Sequence, residues 1–151
     1  MQFKNIMAWI SQLVIAGIMI GAGWGKIIGN ESNVKLFEVL GMEPTGRYII
    51  GVIELAIVAL LLVAKLSPIG ALLAIATMLG ASIAHLTELG INYENDNGMH
   101  VIMLSVVMIC SVAILLIRKK DVPFLGRYLV EEAENRKPIK HDDPSAETAG
   151  K

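Results

Sequence analysis

Gly41-Met42-Glu43-Pro44-Thr45-Gly46-Arg47-Tyr48-Ile49-Ile50-Gly51-Val52-Ile53-Glu54-Leu55 is the stretch on which the fold turns, because a polar loop passes there into an apolar helix that takes a carboxylate down with it. Across residues 48–64 no other side chain is charged. With a helix starting at Tyr48, Glu54 lies about 9 Å below the start, at ~1.5 Å per residue. An ionised side chain in hydrocarbon costs at least ~2.5 kcal/mol, so Glu54 must face protein or water, find a partner, or stay protonated. The remainder of the chain has to supply that partner.

Hydrophobic residues make up 54% of the 151-residue chain, and its mean hydropathy is +0.60. A soluble domain of this size is less apolar, so the chain reads as one integral membrane domain. Its formal net charge is -1, and its basic residues form no stripe that could follow a phosphate backbone, which argues against a nucleic-acid partner. The lone Cys110 falls inside an apolar run. No disulfide framework, CxxC couple or thiolate metal site can form within one chain.

On either side of the opening stretch the sequence predicts an all-α transmembrane four-helix bundle, with spans at about 6–28, 48–66, 68–87 and 99–117. Trp9 and Trp24 stand near the two ends of the first span, where amphipathic rings favour the interface. Its apolar part is longer than a signal-peptide core, so it reads as retained. Gly17, Gly21 and Gly25 recur every four residues and put one side-chain-free face on that span, as helix packing uses. Residues 30–47 form a polar connection containing a short amphipathic helix that Gly41 ends. Ser67 as a cap and Pro68 at the first helical position open the third span. In that span Gly70 with Ala74, and Ala76, Gly80 and Ala84, mark two small-residue faces, which predicts a central helix.

The membrane domain occupies residues 1–120. Residues 121–151 follow as a juxtamembrane segment, with Phe124, Leu125, Tyr128 and Leu129 on one side of a short interfacial helix, and a charged, aperiodic tail that reads as disordered. Lys4, Lys65, Arg118, Lys119, Lys120 and Arg127 outnumber Lys26, Lys35 and Arg47 on the other side, which places both termini in the cytoplasm.

In any four-span hairpin topology Lys26, Arg47, Glu54, His85, Glu88, Asp96 and His100 gather at one membrane face, and the opposite face keeps only flanking basic residues. Four-helix bundles build sites from such inward side chains. Lys26, Glu54, His85, Glu88, His100 and Arg47 are therefore the candidate ligand-binding residues. Each also has a plainer role open to it. Lys26 can snorkel or pair with Glu54; Arg47 can anchor headgroups; Glu54 can be a structural ion pair, a protonated hydrogen-bond donor, or a proton-transfer or ligand group. His85-Leu86-Thr87-Glu88 puts an imidazole and a carboxylate on one helix face, but in the reverse order of the Glu-x-x-His pair of di-iron bundles and only once. No metal site and no catalytic Ser/His/Asp arrangement is expected.

Several segments in order resemble the DoxX family of small four-span membrane proteins: Gly23-Trp24-Gly25-Lys26, Leu36-Phe37-Glu38-Val39-Leu40-Gly41-Met42-Glu43-Pro44, Gly46-Arg47, Gly51-Val52-Ile53-Glu54-Leu55, Gly70-Ala71-Leu72-Leu73, and Gly80-Ala81-Ser82-Ile83-Ala84-His85-Leu86-Thr87-Glu88-Leu89-Gly90-Ile91. The resemblance covers about residues 24–118. It implies a four-helix membrane bundle and, from family members, association with quinone-linked oxidoreductases, a redox-stress complex or, in distant relatives, membrane-protein assembly. Lys26, Glu54 and His85 match recurring polar positions of that pattern.

The leading expectation is a non-enzymatic accessory membrane subunit whose outer-face pocket, lined by Lys26, Glu54, His85 and His100, binds an apolar molecule with a polar head, a quinone being the candidate cofactor. Its partners would be the lipid bilayer and a membrane oxidoreductase complex or another membrane protein. An assembly factor or scaffold that recognises partner helices through small-residue grooves is the alternative. Transport of a small solute or proton is weaker, because four spans without an inverted repeat leave little room for alternating access.

Overall fold

A computed structural model describes residues 2–93 and 96–121. The tail beyond residue 121, with the interfacial helix expected there, and Glu94 lie outside the described residues. The helices are α1 (Gln2–Ile27), α2 (Glu31–Val39), α3 (Thr45–Leu62), α4 (Ser67–Ala84) and α5 (Met99–Ile117), with α4 prolonged by a π-helical turn, His85–Leu89. No strand occurs among the described residues.

Four of these helices, α1, α3, α4 with its π-turn, and α5, are long and apolar enough to cross a membrane. The chain is a multi-pass membrane protein of the all-α class. Large side chains on its perimeter stay bare, with Ile109 69% and Leu116 70% exposed, as a lipid-facing surface requires. In the bundle α1 packs on α3 and α5, and α4 packs on α5 and α3. This closes the ring in the order α1, α3, α4, α5. The third span packs on two neighbours, as its two small-residue faces predict, but so does the first, and it is no more central.

Local chemistry sets the boundaries. Gly29, at φ 72°, ends α1 with paired bonds from Gly29 N–H to the Lys26 carbonyl (3.3 Å) and Asn30 N–H to the Gly25 carbonyl (2.9 Å), a Schellman closure that needs a left-handed residue. Gly41 ends α2 the same way, with Met42 N–H bonded to the Phe37 carbonyl at 2.8 Å. α3 begins three residues before the expected Tyr48 and stops at Leu62, short of residue 66. Ser67 does not cap α4. Its hydroxyl donates to the Ala64 carbonyl at 2.9 Å, so it ties the tight α3–α4 turn instead.

The core lies in one half of the bundle: Ile15, Ala16 and Met19 of α1, Ile57, Val58 and Leu61 of α3, Ala71, Ala74 and Met78 of α4, and Val107 and Ile114 of α5. Gln12 and Ser111 are buried in that half too, with no hydrogen-bond partner among the described residues. The half away from the candidate residues is thus not purely apolar with a basic rim, as the sequence suggested. Toward the α1–α2 and α4–α5 connections the packing opens instead of filling.

Candidate functional site

Two glycines place the site. A Cβ on Gly23 would meet the Gly51 carbonyl oxygen at 3.0 Å and Glu54 Cβ at 3.2 Å, and a Cβ on Gly51 would meet the Gly23 carbonyl oxygen at 3.0 Å and Lys26 Cβ at 3.1 Å. Only glycine lets α1 and α3 approach this closely. Lys26 therefore stands beside Gly51, and Glu54 beside Gly23. The expected Gly17/Gly21/Gly25 face is not the one used: Gly17 and Gly21 have nothing within 4 Å, and Gly25 meets only the Asn33 side chain.

Across this contact Lys26 Nζ donates to both carboxylate oxygens of Glu54, at 3.0 and 2.9 Å. The two side chains are only 13% and 4% exposed. Of the roles open to each, pairing with the other is the one the geometry realises. Because α3 starts at Thr45, Glu54 is about 14 Å along its helix and not 9 Å, at ~1.5 Å per residue. A charge that deep requires a close partner, which Lys26 provides.

A cavity of about 620 Å³ opens over the pair, walled by α1, α2, α3, α4 and α5. Its lining is apolar, including Ile18, Leu36, Phe37, Ile50, Ile53 and Leu104. The polar groups in its lining are Lys26, Glu54, His85, Asn33 and Thr77. Ala76, Gly80 and Ala84, expected to pack on a neighbour, line this space instead.

His85 stands where the helix changes pitch. From His85 to Leu89 the hydrogen bonds widen to five residues, and Gly90 N–H reaches the His85 carbonyl at 2.8 Å. This breaks the three-residue register that would have put His85 and Glu88 on one face. His85 is buried at the cavity while Glu88 is exposed and does not line it.

The other two expected residues stand apart. Arg47 is buried in a clamp: Nε donates to both oxygens of Glu43 at 2.9 Å, Nη2 to Glu43 Oε1 at 2.8 Å, and Nη1 to the Lys26 carbonyl. It fastens the α2–α3 loop to the end of α1 and does not line the cavity. His100 Nδ1 lies 2.6 Å from Asp96 Oδ2, its side chain 43% exposed. Its ring centroid is 6.0 Å from that of His85. Asp96 also accepts the N–H groups of His100 (2.9 Å) and Gly98 (3.0 Å) and so caps α5. The His100 backbone bond, above all, holds the Asp96 carboxyl down to about 2.

Three of the six expected residues thus share one cavity, Lys26, Glu54 and His85. Asn33 and Thr77 were not singled out from the sequence, and as neutral residues in an amphipathic and an apolar helix nothing in their pattern marked them. Among the described residues no group of three His, Cys, Asp or Glu side chains stands together as a metal site would need.

The family model described as Methylamine utilisation protein MauE matches residues 4–96, which include Lys26, Arg47, Glu54, His85 and Glu88 but not His100. No curated protein and no solved structure matches the chain. The DoxX resemblance is met at the coarser level of a small integral membrane protein; the family found is a different one.

Proposed function

The chain belongs to the MauE family of methylamine utilisation proteins, and from that premise we propose that it is an accessory membrane protein whose cavity carries an amphiphilic redox lipid of the quinone class. One observation carries the reading: a cavity of about 620 Å³, apolar along its walls, with the Lys26–Glu54 pair and His85 in its lining. That volume falls among small-molecule sites, which are mostly apolar with a few convergent polar groups. Such a lining suits a head with carbonyl or hydroxyl oxygens and a hydrocarbon tail.

Methylamine itself is a poor match. A methylammonium ion is small and cationic, whereas Glu54, the carboxylate at the cavity, already binds Lys26 through both oxygens. The link to methylamine utilisation is better carried by an accessory role beside a redox enzyme than by binding the amine. Both termini are assigned to the cytoplasm on the balance of Lys and Arg, with the cavity toward the outer face.

The test is mass spectrometry of the organic extract from protein purified in mild detergent, with Glu54→Gln as the control. A prenyl lipid retained by the wild type and lost from the variant is the expected result. Its absence from both would overturn the reading.

A scaffold or assembly role is the second reading, favoured by Gly17 and Gly21, which are exposed with nothing within 4 Å. It predicts that Gly21→Leu releases a stoichiometric membrane partner while Glu54→Gln does not.

A further inference from the structure

His85 and Gly90 clasp each other across the π-turn. Gly90 N–H donates to the His85 carbonyl at 2.8 Å, and His85 Nδ1 lies 2.9 Å from the Gly90 carbonyl oxygen. A carbonyl oxygen only accepts, so Nδ1 carries the hydrogen and the neutral ring presents Nε2 as a lone pair. Gly90 makes the clasp feasible, because its φ of 75° and ψ of 174° lie where essentially only glycine goes. No protein donor meets Nε2 among the described residues. His85 thus offers the cavity an acceptor and, while neutral, no donor.

The other polar groups are already engaged or carry donors of their own. Each Glu54 oxygen accepts from Lys26, so a ligand hydroxyl there would have to share a carboxylate held by an ammonium. The Thr77 hydroxyl donates to the Leu73 carbonyl at 2.9 Å. Lys26 Nζ has three hydrogens and the Asn33 amide has two, so donors remain for a second ligand oxygen.

We propose that the cavity selects an amphiphile whose head bears a hydroxyl, a phenol or hydroquinone, over the same head bearing only carbonyls, and that His85 Nε2 is the selecting acceptor. The inference rests on the cavity being a lipid site, as proposed above, and names which head group it takes. A hydroxyl donates to Nε2. A carbonyl sets lone pair against lone pair and leaves a buried acceptor unsatisfied, a mismatch that discriminates on the order of tenfold to a hundredfold.

The charged and titratable groups around His85 are Lys26 of α1 and Glu54 of α3 across the cavity, His100 of α5 with Asp96 behind it, and exposed Glu88 on its own turn. α2 lines the cavity with Asn33, Leu36 and Phe37, and Leu40 follows at its end; none of these titrates.

The experiment is anaerobic titration of the full chain in detergent micelles with three decyl-tailed probes: a hydroquinone, the matching benzoquinone, and the hydroquinone bis-methyl ether, which keeps the shape but cannot donate. The hydroquinone should bind at least about tenfold tighter than either comparator. His85→Phe should lower hydroquinone affinity to that of the ether; if it fails to fold, the wild-type comparison of hydroquinone with ether decides alone. Equal binding of hydroquinone and ether would overturn the role of His85 while leaving the cavity a lipid site. No binding of any probe would overturn both.

Discussion

Cutting the Lys26–Glu54 pair from its two sides should not cost the same. Lys26→Met leaves the Glu54 carboxylate 4% exposed, about 14 Å along α3 at ~1.5 Å per residue, on a side chain too short to reach an interface. Removing one partner of a buried pair costs about 3–5 kcal/mol, a large share of the ~5–15 kcal/mol that a domain has in total. Glu54→Gln is milder. The amide oxygen still accepts from the ammonium, and Lys26 lies one residue from the end of α1 on a four-carbon stem that can swing to the interface. We expect about 1.5–3 kcal/mol for that change, the range for one hydrogen bond to a charged group. The double change Lys26→Met with Glu54→Leu should fall near neutral, since apolar replacement of a buried pair often does. Reversible unfolding in mixed detergent micelles, followed by helicity for all four proteins, gives the double-mutant cycle. Glu54→Gln proving as costly as Lys26→Met, or a coupling under about 0.5 kcal/mol, would refute the argument.

Gly23→Ala and Gly51→Ala should each destabilise by about 1–3 kcal/mol, because a backbone oxygen lies 3.0 Å from the new Cβ. Gly17→Ala and Gly21→Ala, with open space around them, should be neutral or stabilising by up to about 1 kcal/mol; thermal melts of the four variants separate the sets. Gly90→Ala should cost about 1–3 kcal/mol through its backbone conformation and free the His85 tautomer, read as a changed imidazole nitrogen shift in ¹⁵N-histidine spectra. The Asp96 carboxyl sits at about 2, below its ordinary 3.8. Its folded pKa is the lower one, so its stabilising effect is complete above the unfolded value and is lost as pH falls through the folded value. Melting temperature should therefore drop more steeply between about pH 4 and about pH 2 for wild type than for Asp96→Asn.

Hydropathy, run length and glycine positions determined by themselves that this chain is an all-α membrane protein with a short helix in the first loop. Each of those properties is local: about 20 apolar residues satisfy a bilayer whatever their neighbours are, and Gly29 and Gly41 terminate helices through bonds to the same turn. Hairpin connectivity also sufficed to bring Lys26, Glu54 and His85 to one end. Rotation of each helix about its axis was not legible in the same way. Four-residue spacing pointed to Gly17 and Gly21, yet Gly23 and Gly51 make the contact, because a helix with apolar residues on every side carries no stripe that says which side meets protein and which meets lipid. The π-turn escaped for a related reason: it follows from how His85 and Gly90 close on each other, and no residue pattern specifies an i to i+5 bond. Tertiary structure therefore decided which glycines touch, that Arg47 clamps a loop, that Glu88 turns outward and that Asn33 and Thr77 join the cavity, since each depends on where a second element stands.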